Sequence, residues 1–416
     1  MDYLSNLPDP LLLHILSFLS THNSVRTSVL ARRWRSLWSS VPAIRFHYED
    51  FHPEAVSRAD AIVHRFIASR RDSSAVFSLS IDLDHLSCPE NWIDYAKSHG
   101  ARAVTLYLCY CPRQSPIFSA LFNWPSLLTL DLQFDVGWPP VDIPPECIAL
   151  SNLKKLVLTG VFSEESVRRL LACCPNLGEL SLDVSECYGA ALEIAVPNLR
   201  KLALTGTLSK TRINCPILES LCIGSSSYLE EFYVYAPSLV CVHLGLFRSC
   251  HPLSSSLCNV AELGISLLSL PADLVEAKSM IESFKLFHKI KSLRVHLHLL
   301  EEFTMQLLFL FLLETPNLRL LHLMDEKDEK EPFSPFSHMY DDQSESLQIM
   351  PAKCFNNLKL VLAQIKSESA RSTFLEMLSE RVQAWDKVVV SAGLNNERST
   401  YCILSNQKGN NMCIHL

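Results

Sequence analysis

Glycine is scarce in this chain and widely spaced: there are 11 among 416 residues, and no two lie closer than Gly178 and Gly189. A G-x-G-x-x-G turn or a Walker loop needs several glycines in one short loop so that backbone amides can approach a phosphate, so nucleotide binding through those motifs is excluded. The nucleophile signature G-x-S-x-G and the zinc-protease signature H-E-x-x-H are also missing, and no carboxylate pair is marked by its spacing as an acid and base couple. The sequence therefore predicts a non-catalytic protein with no cofactor and no metal. Long hydrophobic runs are lacking too. The longest aliphatic and aromatic stretch, Leu307 to Leu313, has seven residues, against about 20 for a membrane-spanning helix.

Charged residues make up only 19% of the chain, below the roughly 25% of an average globular protein. The 15 cysteines are an odd number, and no two are spaced C-x-x-C, which suits neither a paired disulfide framework nor a zinc ribbon. Reduced, mostly buried thiols are expected instead. Cys241, Cys250, His251 and Cys258 lie near one another in sequence, but their spacing fits no usual zinc site. The opening residues MDYLSNLPDP contain neither a basic nor an apolar signal segment, so no signal peptide is expected. The compartment predicted is the nucleus, the cytoplasm or both.

What the chain has in abundance is leucine, 69 residues. The stretch CPNLGELSL from Cys174 to Leu182 shows how they are used. Leu177, Leu180 and Leu182 follow an L-x-x-L-x-L spacing that places Leu180 and Leu182 on one face of a short strand. The pattern begins at Leu127 and recurs with first apolar positions at Leu153, Leu177, Leu199, Leu218, Leu239, Val260, Ile290 and Leu318, advancing by 26, 24, 22, 19, 21, 21, 30 and 28 residues. Those intervals bracket the roughly 20 to 29 residues of a leucine-rich repeat. Pro125, Pro175, Pro197, Pro216, Pro237 and Pro316 each stand two residues before the first repeat position, where a residue without an amide hydrogen belongs on the rim and not in the strand ladder.

The N-terminal segment differs in character. Residues 1–45 hold five arginines against Asp2 and Asp9, a net charge of +3 that leaves −10 for the remainder. Three short helices are expected over residues 4–41. Asp9 is read as the cap of the first, with Pro10 at its first position, and Leu12, Ile15, Leu16 and Leu19 repeat along one face. Asn23 is read as the cap of the second, and the third places Trp34, Leu37, Trp38 and Val41 on a shared face. Some forty residues can hardly bury so many large side chains alone, so part of this apolar surface is expected to be covered by another protein. Arg32, Arg33 and Arg35 are expected to form the solvated face of the third helix, not a nucleic-acid site.

The segment LPDPLLLHILSFL followed by SVRTSVLARRWRSLW resembles the F-box, the motif by which substrate-recognition subunits dock on the Skp-type adaptor of cullin-based ubiquitin ligases. The resemblance covers about a tenth of the chain. It is carried by Leu7, Pro8, Asp9, Leu12, Ile15, Leu16, Val29, Arg32, Trp34, Leu37 and Trp38, which it implies are the adaptor-binding residues. Ala31 stands where many relatives have Ser or Cys, a small and helix-compatible departure. With the repeats, this implies an α/β fold: a three-helix F-box at residues 1–46, a helical linker at 47–75, and a leucine-rich-repeat solenoid at 76–324 with parallel strands on its concave face and helices or loops on its convex face. A mobile polar insertion, residues 325–350, should follow, opening with DEKDEKE. Residues 351–416 are then a terminal repeat and a module similar to the FBD found at the C-terminus of many plant F-box proteins.

In an L-x-x-L-x-L strand the leucines point inward, so the residues beside them face the concave surface. Lys155, Glu179, Lys201, His243, Arg294 and His322 are the candidates there for binding a target protein. The surface they imply is mixed in charge, which suits a protein partner better than nucleic acid. His296, His298 and His322 recur near Arg294 and could recognise an acidic ligand, although the plainer reading makes them ordinary strand residues. The functional expectation, by resemblance, is substrate recognition in a Skp–cullin–F-box ligase, whose chemistry belongs to its partners. Two rivals stand beside it: a receptor in which a small molecule on the concave face completes the target site, and a scaffold that binds the adaptor without ubiquitination.

Overall fold

The computed structural model describes residues 6–51, 59–70, 76, 78–82, 89–108, 116–134, 150–160, 162–184, 191–206, 210–224, 231–245, 259–266, 289–297, 308, 312, 315–325, 358–365, 374, 387–391, 402–407 and 410–415. The chain divides into two compact units, Met1–Ile217 and Leu218–Leu416. Among the described residues no helix is long and apolar enough to cross a membrane.

The first unit opens with α1 (Asp9–Leu16), α2 (Thr21–Arg26) and two 3-10 helices, Thr27–Val29 and Arg32–Ser40. Their core is Leu12, Leu16, Trp34, Leu37, Val41 and Ala43, with Leu7, Leu13 and Ala31 packed against it. The caps differ from those expected. Pro8 occupies the cap of α1 and Asp9 is already helical, its carboxylate taken by Arg33 Nη2 at 2.6 Å. Ser20, not Asn23, caps α2: its hydroxyl accepts from the Asn23 amide at 3.4 Å and donates to Asp50 Oδ1 at 2.8 Å. A hydroxyl on the residue just outside the helix reaches the free amide three positions on, which Asn23, inside the first turn, cannot do.

Next comes a parallel sheet of β1 (Ala43–His47), β2 (Ser78–Asp82), β3 (Ala103–Leu108), β4 (Thr129–Phe134), β5 (Lys155–Thr159), β6 (Glu179–Val184) and, beyond the separate strand β7 (Ala191–Ile194), β8 (Lys201–Gly206), with neighbours paired in that order. The sheet begins one strand before residue 76, where the solenoid was expected to start. β1 follows the third helix almost without a loop, because Ile44 and Phe46 are buried on the sheet's inner face. The expected linker contains α3 (Ala59–Ala68), whose Phe66 receives Trp38 at 5.4 Å and Phe46 at 5.4 Å between ring centres. Two further helices, α4 (Pro89–Ser98) and α5 (Pro116–Phe122), went unread in the sequence. Both start at Pro, and Trp92, Ile93 and Ala96 on one and Ile117, Phe118, Leu121 and Phe122 on the other are buried at helical spacing.

Each repeat leucine triplet is buried, and the prolines sit at the second position of a tight turn. Leu127 donates to the Trp124 carbonyl at 3.1 Å across Pro125, and Leu177 to that of Cys174 at 3.2 Å across Pro175. This is the corner where a fixed φ and a missing donor suit proline. Asparagines beside those corners tie one repeat to the last: Asn152, Asn176 and Asn198 side chains donate at 2.8 Å to the carbonyls of Pro125, Ser151 and Pro175. The back of the repeats depends on their length. The 24-residue step from Leu153 to Leu177 holds α6 (Glu164–Ala172), whereas the 22- and 19-residue steps that follow hold β7 and β9 (Lys210–Asn214), which pair in parallel. A strand advances about 3.3 Å per residue and a helix 1.5 Å, so the shorter repeats return in extended form. Strands were not expected on that side.

The second unit repeats the scheme with β10 (Ser220–Ile223), β11 (Glu231–Tyr235), β12 (Cys241–Leu244), β13 (Glu262–Ser266), β14 (Ser292–Leu297), β15 (Leu320–Asp325), β16 (Leu360–Gln364) and β17 (Lys387–Ser391). All but β11 form one parallel sheet. β15 pairs directly with β16, so the ladder resumes across the polar stretch, whose residues after Asp325 lie outside those described. Two antiparallel strands, β18 (Cys402–Gln407) and β19 (Asn410–His415), close the sheet. β19 went unread in the sequence. Between Ile365 and β17 only Phe374 is described; it is helical and buried.

Candidate functional site

Two surfaces carry the residues singled out in the sequence. On the helical segment, the eleven adaptor-binding candidates separate by burial. Leu12, Leu16, Trp34 and Leu37 are the segment's own core, no more than 8% exposed. Leu7 and Trp38 are half-buried, the indole Nε1 donating to the Arg35 carbonyl at 2.9 Å. Pro8, Asp9, Ile15, Val29 and Arg32 are exposed.

With the core satisfied, large apolar side chains remain outside it. Leu11 is 49% exposed, Ile15 38%, Phe18 70%, Leu19 37%, Val29 85% and Leu30 67%. Leu11 and Ile15 stand four apart on α1, as do the buried pair Leu12 and Leu16, so this helix is apolar on two sides and only one is turned inward. Leu11, Phe18, Leu19 and Leu30 are the members of this face that the site reading omitted. For Leu11 and Phe18 the signal was the same helical spacing, i, i+4 and i+7 through Ile15, read one residue out of phase. The segment is held firmly beneath: the Ser24 hydroxyl donates to the Leu16 carbonyl at 3.1 Å, Arg45 donates to the Ser17 carbonyl, and Arg70, only 5% exposed, donates to the Val41 carbonyl at 2.9 Å.

The second surface is the outward side of the repeat strands, and the six target-binding candidates fall into two groups on it. In the first unit, Lys155, Glu179 and Lys201 are direct cross-strand partners on β5, β6 and β8. Glu179 lies between two ammonium groups, at 2.7 Å from Lys201 Nζ and 4.0 Å from Lys155 Nζ. The hydrogen bond from Lys201 holds the Glu179 carboxyl below the usual carboxylate range against the opposing effect of burial, and the charges of Lys201 and Lys155 lower it further. These three largely answer one another's charge.

In the second unit His243, Arg294 and His322 lie on β12, β14 and β15. His243 and His322 are half-buried and Arg294 is exposed. Burial first, then the charges of Arg294 and His296, lower both imidazoles from their ordinary value. The thiols nearby are pushed up by burial: Cys222 and Cys241 here, and in the first unit Cys174, to about 12. They are inert thiols under ordinary conditions. Cys250, His251 and Cys258 of the considered zinc set, and His298, lie outside the described residues.

Comparison with known proteins falls on the same two regions. Residues 4–45 match the profile of the F-box domain, and residues 89–323 match that of the leucine-rich repeats of the FBD-associated F-box protein At5g56370. The FBD-associated F-box protein At4g10400 of Arabidopsis thaliana is 28% identical over 425 residues, 91% of this chain and 96% of its own. The FBD-associated F-box protein At3g52670 is 32% identical over 250 residues, 58% of each chain, and the F-box/LRR-repeat protein At3g03360 is 29% identical over 285 residues, 66% of this chain and 54% of its own; both are also from Arabidopsis thaliana. A helical segment matching the F-box and a parallel sheet built on the matched repeats place this chain in the plant family of FBD-associated F-box proteins with leucine-rich repeats.

Proposed function

We propose that the chain is the substrate-recognition subunit of a Skp–cullin–F-box ubiquitin ligase. Its helical segment docks on a Skp-type adaptor, and through it a cullin, while the outward strand surface of the repeats binds a target protein. The observation that carries this reading is the row of exposed apolar side chains from Leu11 to Leu30 beside a core that is already complete. A monomer gains nothing by leaving such a face wet, and covering it is a driving force for association. The chain then acts without catalytic residues, by raising the effective concentration of the target's lysines near a ubiquitin-conjugating enzyme.

The test is co-expression with a Skp-type adaptor and a cullin. The parent is expected to co-purify with both, and Leu7→Ala with Pro8→Ala is expected to weaken the adaptor band. Point substitutions are preferable to deleting residues 1–45, because Ala43–His47 is a strand of the sheet and its loss would damage the repeats. A parent chain that retains no adaptor would refute the proposal.

A further inference from the structure

The register of the second unit puts Cys222, His243, Gly264, Arg294 and His322 in one row as successive cross-strand partners, with neighbours about 4.8 Å apart. Gly264 decides what happens in that row. It is buried, and a Cβ on it would overlap the His243 imidazole. Only a bare backbone at this position lets the His243 ring lie across β13 toward β14, where it meets His296 edge to face at 6.4 Å between ring centres. His296 follows Arg294 by two residues on β14 and so shares its face. Three imidazoles from three strands thus gather around one guanidinium.

The rest of the row's surroundings is nearly uncharged. Cys222 on β10 and Cys241 on β12 are thiols held above their ordinary value by burial, β16 presents Leu362 beside His322, and Glu262 on β13 lies one row away, opposite Ser292. Among the described residues no carboxylate forms an ion pair with Arg294. This is the reverse of the first unit, where Glu179 sits between its two lysines.

We propose that His243, Arg294, His296 and His322 form an oxyanion site that takes a carboxylate or phosphate of an acidic target segment and takes up protons as it does so. The inference rests on the reading of the strand surface as the target-binding face. Arg294 supplies the fixed charge, and its planar donors suit either oxyanion. His243 and His322, lowered by burial and by Arg294, are neutral near pH 7 in the free protein. An anion bound among them offsets the Arg294 charge and raises both rings, so protonated imidazoles are gained on binding. Affinity therefore increases as pH falls.

The test uses the full chain purified with its adaptor and two probes, the capped tripeptides Gly-Glu-Gly and Gly-phosphoserine-Gly. The histidine titration midpoints are followed by NMR of the ring carbons, and affinity is read from the same titrations. Saturating probe is expected to move the midpoints of His243 and His322 upward. The glutamyl peptide, ionised throughout, should bind about tenfold tighter at pH 5.5 than at 7.5, an average uptake of about half a proton. Arg294→Met, at an exposed position, should abolish the response, and Gly264→Ala, which displaces His243, should weaken it. A response from the phosphoserine peptide alone assigns the group to phosphate, and one from both shows that a carboxylate suffices. Unmoved midpoints with both probes, or an Arg294→Met protein that responds like the parent, would overturn the site. Retention of the adaptor in these preparations is read separately, so failure of the ligase reading is not confused with failure of the anion site.

Discussion

Replacing Phe18 and Leu30 together by Ala separates docking from folding. The two side chains are 70% and 67% exposed in the isolated chain, so the folded protein loses almost no burial when they are cut back. In the complex the account changes. Covering a Leu or Phe side chain is worth about 1.5 to 3 kcal/mol, and about two-thirds of each is available here, giving about 1 to 2 kcal/mol per residue and about 2 to 4 kcal/mol for the pair. At about 1.4 kcal/mol per decade, the double variant should bind a Skp-type adaptor about 30- to 700-fold more weakly. Titration calorimetry with purified adaptor measures this, and a denaturant melt on the same samples should place stability within about 1 kcal/mol of the parent. An unchanged adaptor affinity would refute the assignment of this face. A large loss of stability would show that the two side chains belong to the core.

Other substitutions probe the remaining links. Leu16→Ala, at a position with 0% exposure, should cost about 2 to 5 kcal/mol in a denaturant melt and weaken adaptor binding only through the fold. Gly160 has φ +125° and its Cβ would come within 2.7 Å of Phe134 Cβ, so Gly160→Ala should lower the melting point through about 1 to 3 kcal/mol of strain; an unshifted melt would contradict this. Glu179 titrates below its ordinary value of 4.5, so its pairing stabilises the chain above that pH and is lost as pH falls through the lower, folded-state value. Glu179→Gln should therefore flatten the acid limb of stability, by under about 1 kcal/mol for so exposed a pair, and 1 M salt should erase the difference. Alanine at Lys155, Glu179, Lys201, His243, Arg294 and His322 together should abolish capture of ubiquitylated targets with adaptor binding intact; undiminished capture would move the target site off the strand surface.

Much of this architecture is local and therefore written in the sequence. The L-x-x-L-x-L spacing specifies a strand with one apolar side, its recurrence specifies stacking, and Pro125 and its equivalents mark the corners, because each depends on residues a few positions apart. The back of each repeat was read only as helices or loops, because the choice of strand at β7 and β9 follows from the distance to be spanned once neighbours are stacked. What the sequence could not decide is which of two equivalent faces turns inward. Leu11 and Ile15 have the same four-residue spacing as Leu12 and Leu16, and only the arrival of Trp34 and Leu37 from the third helix settles that the second pair is core and the first is surface. The outward strand residues were legible as a set, but not their partners. Lys155, Glu179 and Lys201 neutralise one another only because the register aligns residues more than twenty positions apart. Nothing near Gly264 in the sequence marks it; the register that lays His243 across it does. Periodicity fixes which side of an element a residue occupies; which other residue faces it across strands is settled by pairing over long sequence separations, and that is a property of the tertiary structure alone.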